Sequence, residues 1–120
     1  MGEIVSIICC VLTIAFGLFG FLAPRYTAAA LDLETTGSTM GLSELRASMG
    51  GLFVIAGAAA IVIGDPVAHA MIGFAFVGAA LGRLVSLALD APPTQKVLIF
   101  GGIEAALAAS LIGFNHTAVF

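Results

Sequence analysis

Charge is what this sequence has least of. Four lysine or arginine residues and seven aspartate or glutamate residues make up 9% of 120 residues, for a formal net charge of −3. An ordinary soluble domain is about a quarter charged. So few cations leave no basic patch for phosphates, which argues against a nucleic-acid partner. Cysteine is equally sparse: Cys9 and Cys10 are the only two, side by side. Adjacent helical positions point about 100° apart, which suits neither a disulfide nor a metal pair. They read as small packing residues. No Cys-x-x-Cys, His-Glu-x-x-His or phosphate-loop pattern occurs. His69 and His116 stand near the ends of expected helices and read as interfacial side chains rather than ligands. These absences predict no metal, no cofactor and no catalytic residue, hence a protein that is not an enzyme.

Apolar residues fill the space that charge leaves. They make up 61% of the chain, and the mean hydropathy is +1.19. A soluble chain of this size could not hide that much apolar surface. A membrane-crossing helix needs about 20 mostly apolar residues. Four segments qualify: 4–23, 45–63, 67–89 and 97–114. The runs lack the period-2 alternation of barrel strands. The expected fold is therefore all-α, a single integral-membrane four-helix antiparallel bundle over residues 1–120. Pro24 stops the first span. In Gly64-Asp65-Pro66, Asp65 can cap the third helix and Pro66 suits its first position. Asp90 to Thr94 ends span three, with Thr94 a candidate cap for span four. Residues 26–33 suggest a short interfacial segment, and 35–41 read as irregular. The start Met1-Gly2-Glu3 has no positive stretch, which predicts an uncleaved first helix rather than a signal peptide.

Lysine and arginine gather on the cytoplasmic side of a membrane. Arg25 and Lys96 fall in the first and third loops, and Arg46 borders the first. The termini and the Asp65 turn hold none. Loops one and three are expected in the cytoplasm and both termini outside.

Ionisable residues within spans are costly, at about 2.5–3.5 kcal/mol for a central arginine or aspartate. Arg83 lies about 9 Å from the cytoplasmic end of its span and Glu104 about 10 Å from the same side, at about 1.5 Å per residue. Glu44 and Arg46 enter at that face, and Ser48 and Ser86 add hydroxyls. Arg83 is expected to pair with Glu104, Glu44 or both, with Arg46 completing the cluster. Small residues let membrane helices approach closely. Gly78, Gly82 and Ser86 form one such stripe, Ala47 and Gly51 another. Gly50 and Gly101 are further expected packing positions. The cluster fits two roles, a lock that holds the helices together or a site for a small ligand, lipid head or proton. A carboxylate beside an arginine stays ionised, so a proton carrier would need the pair to separate.

Residues 41–51 read GLSELRASMGG, residues 82–86 read GRLVS, and Glu104 follows a Pro-Pro loop. This order resembles an uncharacterised family of small bacterial four-helix inner-membrane proteins, a domain-of-unknown-function group. That family carries a Glu-x-Arg-Ala-x-Tyr-Gly-Gly signature, then Gly-Arg with a nearby serine, then a glutamate in the last span. It is distantly similar to DoxX-like membrane proteins. The resemblance spans nearly the whole chain and marks Glu44, Arg46, Gly50, Gly51, Gly82, Arg83, Ser86 and Glu104. Met49 replaces the family's usual aromatic. The resemblance implies neither substrate nor reaction. Some DoxX-like proteins are linked to sulfur or quinone redox chemistry, and this sequence has no redox centre of its own.

The leading expectation is a multi-pass bacterial inner-membrane protein whose cytoplasmic-half polar cluster binds a small amphiphile, lipid head group or quinone. The alternatives are a self-associating or accessory subunit of a membrane complex and, third, a proton-coupled small transporter. The expected surroundings are the lipid bilayer, with a homo-oligomer or larger membrane complex as further partner.

Overall fold

The computed structural model describes all 120 residues, Met1–Phe120. It is all-helical: α1 (Gly2–Leu22), α2 (Pro24–Ala30), α3 (Met40–Arg46), a π-helical turn (Ala47–Gly51), α4 (Leu52–Ile63), α5 (Pro66–Leu89), α6 (Thr94–Gly113) and α7 (His116–Val119). Helix α3, the π-helical turn and α4 run on as one rod. Four helices are thus long and apolar enough to cross a membrane: Gly2–Leu22, Met40–Ile63, Pro66–Leu89 and Thr94–Gly113. Large apolar side chains such as Ile55, Val62, Leu84 and Leu98 are exposed, while Ser6 and Thr13 are fully buried. That inverted pattern suits a lipid solvent, in which small and polar residues mediate helix contacts. The chain is a multi-pass membrane protein.

Punctuation residues end the helices. Ala23 leaves the helical region at φ −130°, and Pro24 opens α2 as its first residue. Gly64, at φ +70°, closes α4, in the left-handed conformation that glycine adopts freely. Asp65 then caps α5, its Oδ1 accepting from the Val67 N–H at 2.8 Å, with Pro66 at the first position. Replacing this cap, Asp65→Ala, should lower stability by about 1 kcal/mol, read from denaturant titration of the purified protein in detergent.

Two expectations need correction. Span two starts at Met40 rather than residue 45, because a helix can extend past its apolar stretch through polar Ser43 and Glu44. Thr94 does not cap α6. Pro93 holds the cap position at φ −57° and ψ 107°, no side chain caps the end, and Thr94 is already helical.

Contacts cluster into two compact units. One comprises Cys10–Val62. Within it the later part of α1 runs antiparallel to the rod that follows residue 46. The Gly17, Gly20 and Gly50 positions carry this contact. A Cβ at Gly50 would stand 2.6 Å from the Phe21 nitrogen, one at Gly20 2.6 Å from the Met49 carbonyl oxygen, and one at Gly17 2.9 Å from the Val54 nitrogen. Here backbone meets backbone, and the π-helical turn lies at the crossing. Gly57 continues the contact against Ile14 and the Cys10 carbonyl.

The other unit comprises Met1–Cys9 and Ile63–Phe120. Its main contact is the antiparallel pair α5 and α6. A Cβ at Gly73 would stand 2.8 Å from Ile112 Cγ1, and Arg83 lies against Gly101 at the other end. The start of α1 joins through buried polar contacts. Asn115 Nδ2 donates to Ser6 Oγ at 2.8 Å and to the Leu111 carbonyl at 2.7 Å. His69 is 3% exposed, so it is a core residue and not the interfacial one its place near a helix end suggests. Its Nε2 is buried without a hydrogen-bond partner. His116 is exposed, its Nδ1 2.7 Å from the Gly113 carbonyl.

Candidate functional site

Helices α5 and α6 place Arg83 and Glu104 opposite each other. Arg83 Nε donates to Glu104 Oε1 at 2.9 Å, and Nη2 donates to Oε2 at 3.4 Å. The side chains are 30% and 17% exposed, respectively. Two parallel charge-assisted bonds fix the plane of the guanidinium as well as its position. The Arg83 Cζ lies over the Phe100 ring, 5.4 Å from its centroid, within the range of a cation–π contact. The Arg83 stem packs beside Gly101, with Cβ and Cγ at 3.5 Å, an ordinary contact distance, from where an added Cβ would stand. Phe100 and Gly101 lie four and three residues before Glu104, so one face of α6 supplies carboxylate, ring and gap.

Glu104 lies deeper than its distance from residue 97 suggests. Helix α6 begins at Thr94, which puts Glu104 about 15 Å along a helix about 30 Å long. That is the midpoint of the span. Arg83 remains about 9 Å from the end of α5 at Leu89. A guanidinium carries five N–H donors. Glu104 takes one from Nε and one from Nη2, and Nη1 has no partner within the chain. The site is therefore a charge-compensated pair with donors to spare.

The other expected cluster members behave differently. Arg46 belongs to the Cys10–Val62 unit, and its Nη1 donates to the Phe21 carbonyl at 2.6 Å. Helix ends leave carbonyls without N–H partners, and a cation there also meets the negative end of the helix dipole. Arg46 is thus a cap on the end of α1. Glu44 is exposed on α3, where its main-chain carbonyl accepts from the Ser48 hydroxyl at 2.7 Å. Ser86 is half-buried one turn beyond Arg83, and its carbonyl accepts from the Asp90 N–H at 2.8 Å.

The packing glycines divide. Gly50 lies in a close backbone contact, while Gly101 beside Arg83 and Gly51 beside the Phe21 ring are at ordinary contact distances. Gly78 and Gly82 do not pack within the chain: both are exposed, with open space where a Cβ would be. The physical reason is helical phase. Gly73 and Phe76 define the buried face of α5, and Gly78 points about 140° from Gly73 at 100° per residue. Gly17, Gly20, Gly57 and Gly73 are not singled out by sequence. The spacing of Gly73 and Phe76 from His69, at helical intervals, is the signal that could have found the α5 face.

Residues 1–114 match the model of a family described as a domain of unknown function, DUF4345. The chain belongs to this family. In this member Arg46 holds the end of α1, Gly50 permits the backbone crossing, and Arg83 pairs with Glu104. No curated protein and no solved structure matches the chain.

Proposed function

We propose that this DUF4345 protein is a non-enzymatic membrane protein that binds the polar head of a small amphiphile at Arg83. The observation that carries this reading is the unused edge of the guanidinium. Glu104 orients Arg83 and compensates its charge, and Phe100 supports one face. The Nη1 edge then remains for an acceptor oxygen. Intramembrane ionisable residues mark functional sites by default, and a guanidinium left with free donors in hydrocarbon gains from any oxygen that reaches it. In this role Arg83 binds and Glu104 positions. The bacterial inner membrane is the proposed location, consistent with the DoxX-like resemblance. With Arg25 and Lys96 in the first and third loops and Arg46 bordering the first, the positive-inside bias favours both termini outside.

The test is native mass spectrometry of the full chain released from its own membranes. The wild type should retain an amphiphile adduct. The double variant Arg83→Gln/Glu104→Gln removes both charges together and leaves no uncompensated ion to unfold the protein. It should lose the adduct while keeping its helical content. Equal retention by both proteins would reject the reading.

A further inference from the structure

The same pair specifies what kind of oxygen the site takes. We infer that Arg83 receives a neutral carbonyl oxygen from a membrane-dissolved amphiphile, and not a phosphate; this rests on the binding role proposed above.

Depth supplies the first argument. Helix α5 has 24 residues and is about 36 Å long, against a hydrocarbon thickness of about 30 Å. Centring it leaves about 3 Å of helix outside the hydrocarbon at each end. Arg83, about 9 Å from the end, is then about 6 Å inside the hydrocarbon. Polar headgroups occupy a layer about 5–8 Å thick beyond that boundary. Glu104, at the midpoint of α6, lies deeper still. An unrestrained arginine could snorkel outward to the phosphates. This one cannot do so without breaking its two bonds to Glu104 at 2.9 and 3.4 Å. The carboxylate holds the guanidinium below the phosphate layer.

Charge supplies the second argument. Arg83 and Glu104 together are neutral, and no other lysine or arginine of the Ile63–Phe120 segment lies on either helix's apolar stretch; Lys96 is at the start of α6. A phosphate brought to this pair would add a net negative charge in a medium that penalises it heavily. A carbonyl adds none, and it accepts hydrogen bonds from the Nη1 edge directly. Shape supplies the third. Phe100 covers one face of the guanidinium, while Gly82, next to Arg83 in α5, is exposed with open space at its Cα. A flat carbonyl group can approach the exposed edge without meeting a side chain there.

Two sources offer this chemistry in a membrane: the ester carbonyls of glycerolipids, which lie at the hydrocarbon boundary, and the ring carbonyls of quinones, which dissolve within it. The experiment separates them. The purified full chain is delipidated in mild detergent, and its thermal unfolding is followed by circular dichroism with four additives. These are an ester-linked phosphatidylethanolamine, the ether-linked lipid with the same head and chains, a short-tailed benzoquinone, and a long-chain alkyl phosphate. Wild-type protein should be stabilised by the ester lipid or the quinone. The ether lipid and the alkyl phosphate should act only about a tenth as strongly in apparent affinity, the loss expected for one hydrogen bond to a charged group. The advantage should vanish in Arg83→Gln/Glu104→Gln. Preference for the ester lipid over its ether twin identifies a glycerolipid; preference for the benzoquinone identifies a quinone. Equal stabilisation by ester and ether lipids and by the phosphate, lost in the double variant, would overturn the carbonyl inference and leave amphiphile binding standing. Additive effects that the double variant leaves unchanged, or no effect at all, would overturn both.

Discussion

Gly50→Ala should destabilise the protein by about 3 kcal/mol, the upper part of the range for forcing extra atoms into a packed contact. The added methyl would stand 2.6 Å from the Phe21 nitrogen and 2.7 Å from its Cα. Those are main-chain atoms of α1, and no side-chain rotation relieves the clash. Gly20→Ala, facing the Met49 carbonyl from the other side at 2.6 Å, should cost a similar amount. The pair should be less than additive, because the first variant already forces the two backbones apart. Gly82→Ala is the control. It has open space at its Cα, and alanine is favoured over glycine in a helix interior by about 0.8–1 kcal/mol. Stability should hold or rise. All three are read from reversible unfolding in mixed detergent micelles, and a Gly50→Ala protein as stable as Gly82→Ala would show that the backbone crossing is absent.

Glu104→Gln should cost about 3 kcal/mol, the low end of the range for removing one partner of a buried pair. The loss comes mainly from what is left behind. Arg83 keeps its charge, loses its carboxylate, and must either remain uncompensated in hydrocarbon or turn toward the headgroups. The double variant Arg83→Gln/Glu104→Gln should recover much of the loss, since two amides can hydrogen-bond to each other without a net charge. The recovery measures the coupling, expected above about 1 kcal/mol for residues in direct contact. Additive losses would mean that the two side chains do not interact in the bilayer.

The spans were legible in the sequence because apolar length and proline or glycine punctuation are both local. Asp65, Pro66 and Pro24 do in the structure what their chemistry dictates. Arg83 and Glu104 could be linked because charges within the spans are so rare that the possible partners are very few, although Glu104 lies deeper in its span than the sequence suggests. Its neighbours could not be read so easily. Glycine occurs 15 times, and sequence spacing cannot say which face of each helix meets another. The stripe through Gly78 and Gly82 looks like a contact surface, yet the contact of α5 runs through Gly73. The π-helical turn at Ala47–Gly51 was also hidden, because one shifted turn leaves no trace in hydrophobic periodicity. It lies where Gly50 meets α1, and Arg46, just before it, caps the end of α1. Arg46 also differs from Arg83 in the structure: it is exposed and bonds the Phe21 carbonyl, whereas Arg83 is half-buried against Glu104.

The most direct test of the Arg83 site is an experimental structure of the full chain in discs of its own native lipid. The account predicts Glu104 bonded to the Nε side of the guanidinium, and an amphiphile's oxygen within about 3 Å of Nη1, the distance of an ordinary hydrogen bond. A guanidinium parted from Glu104 and turned to the headgroups, or one whose open edge meets only acyl chains, would contradict it.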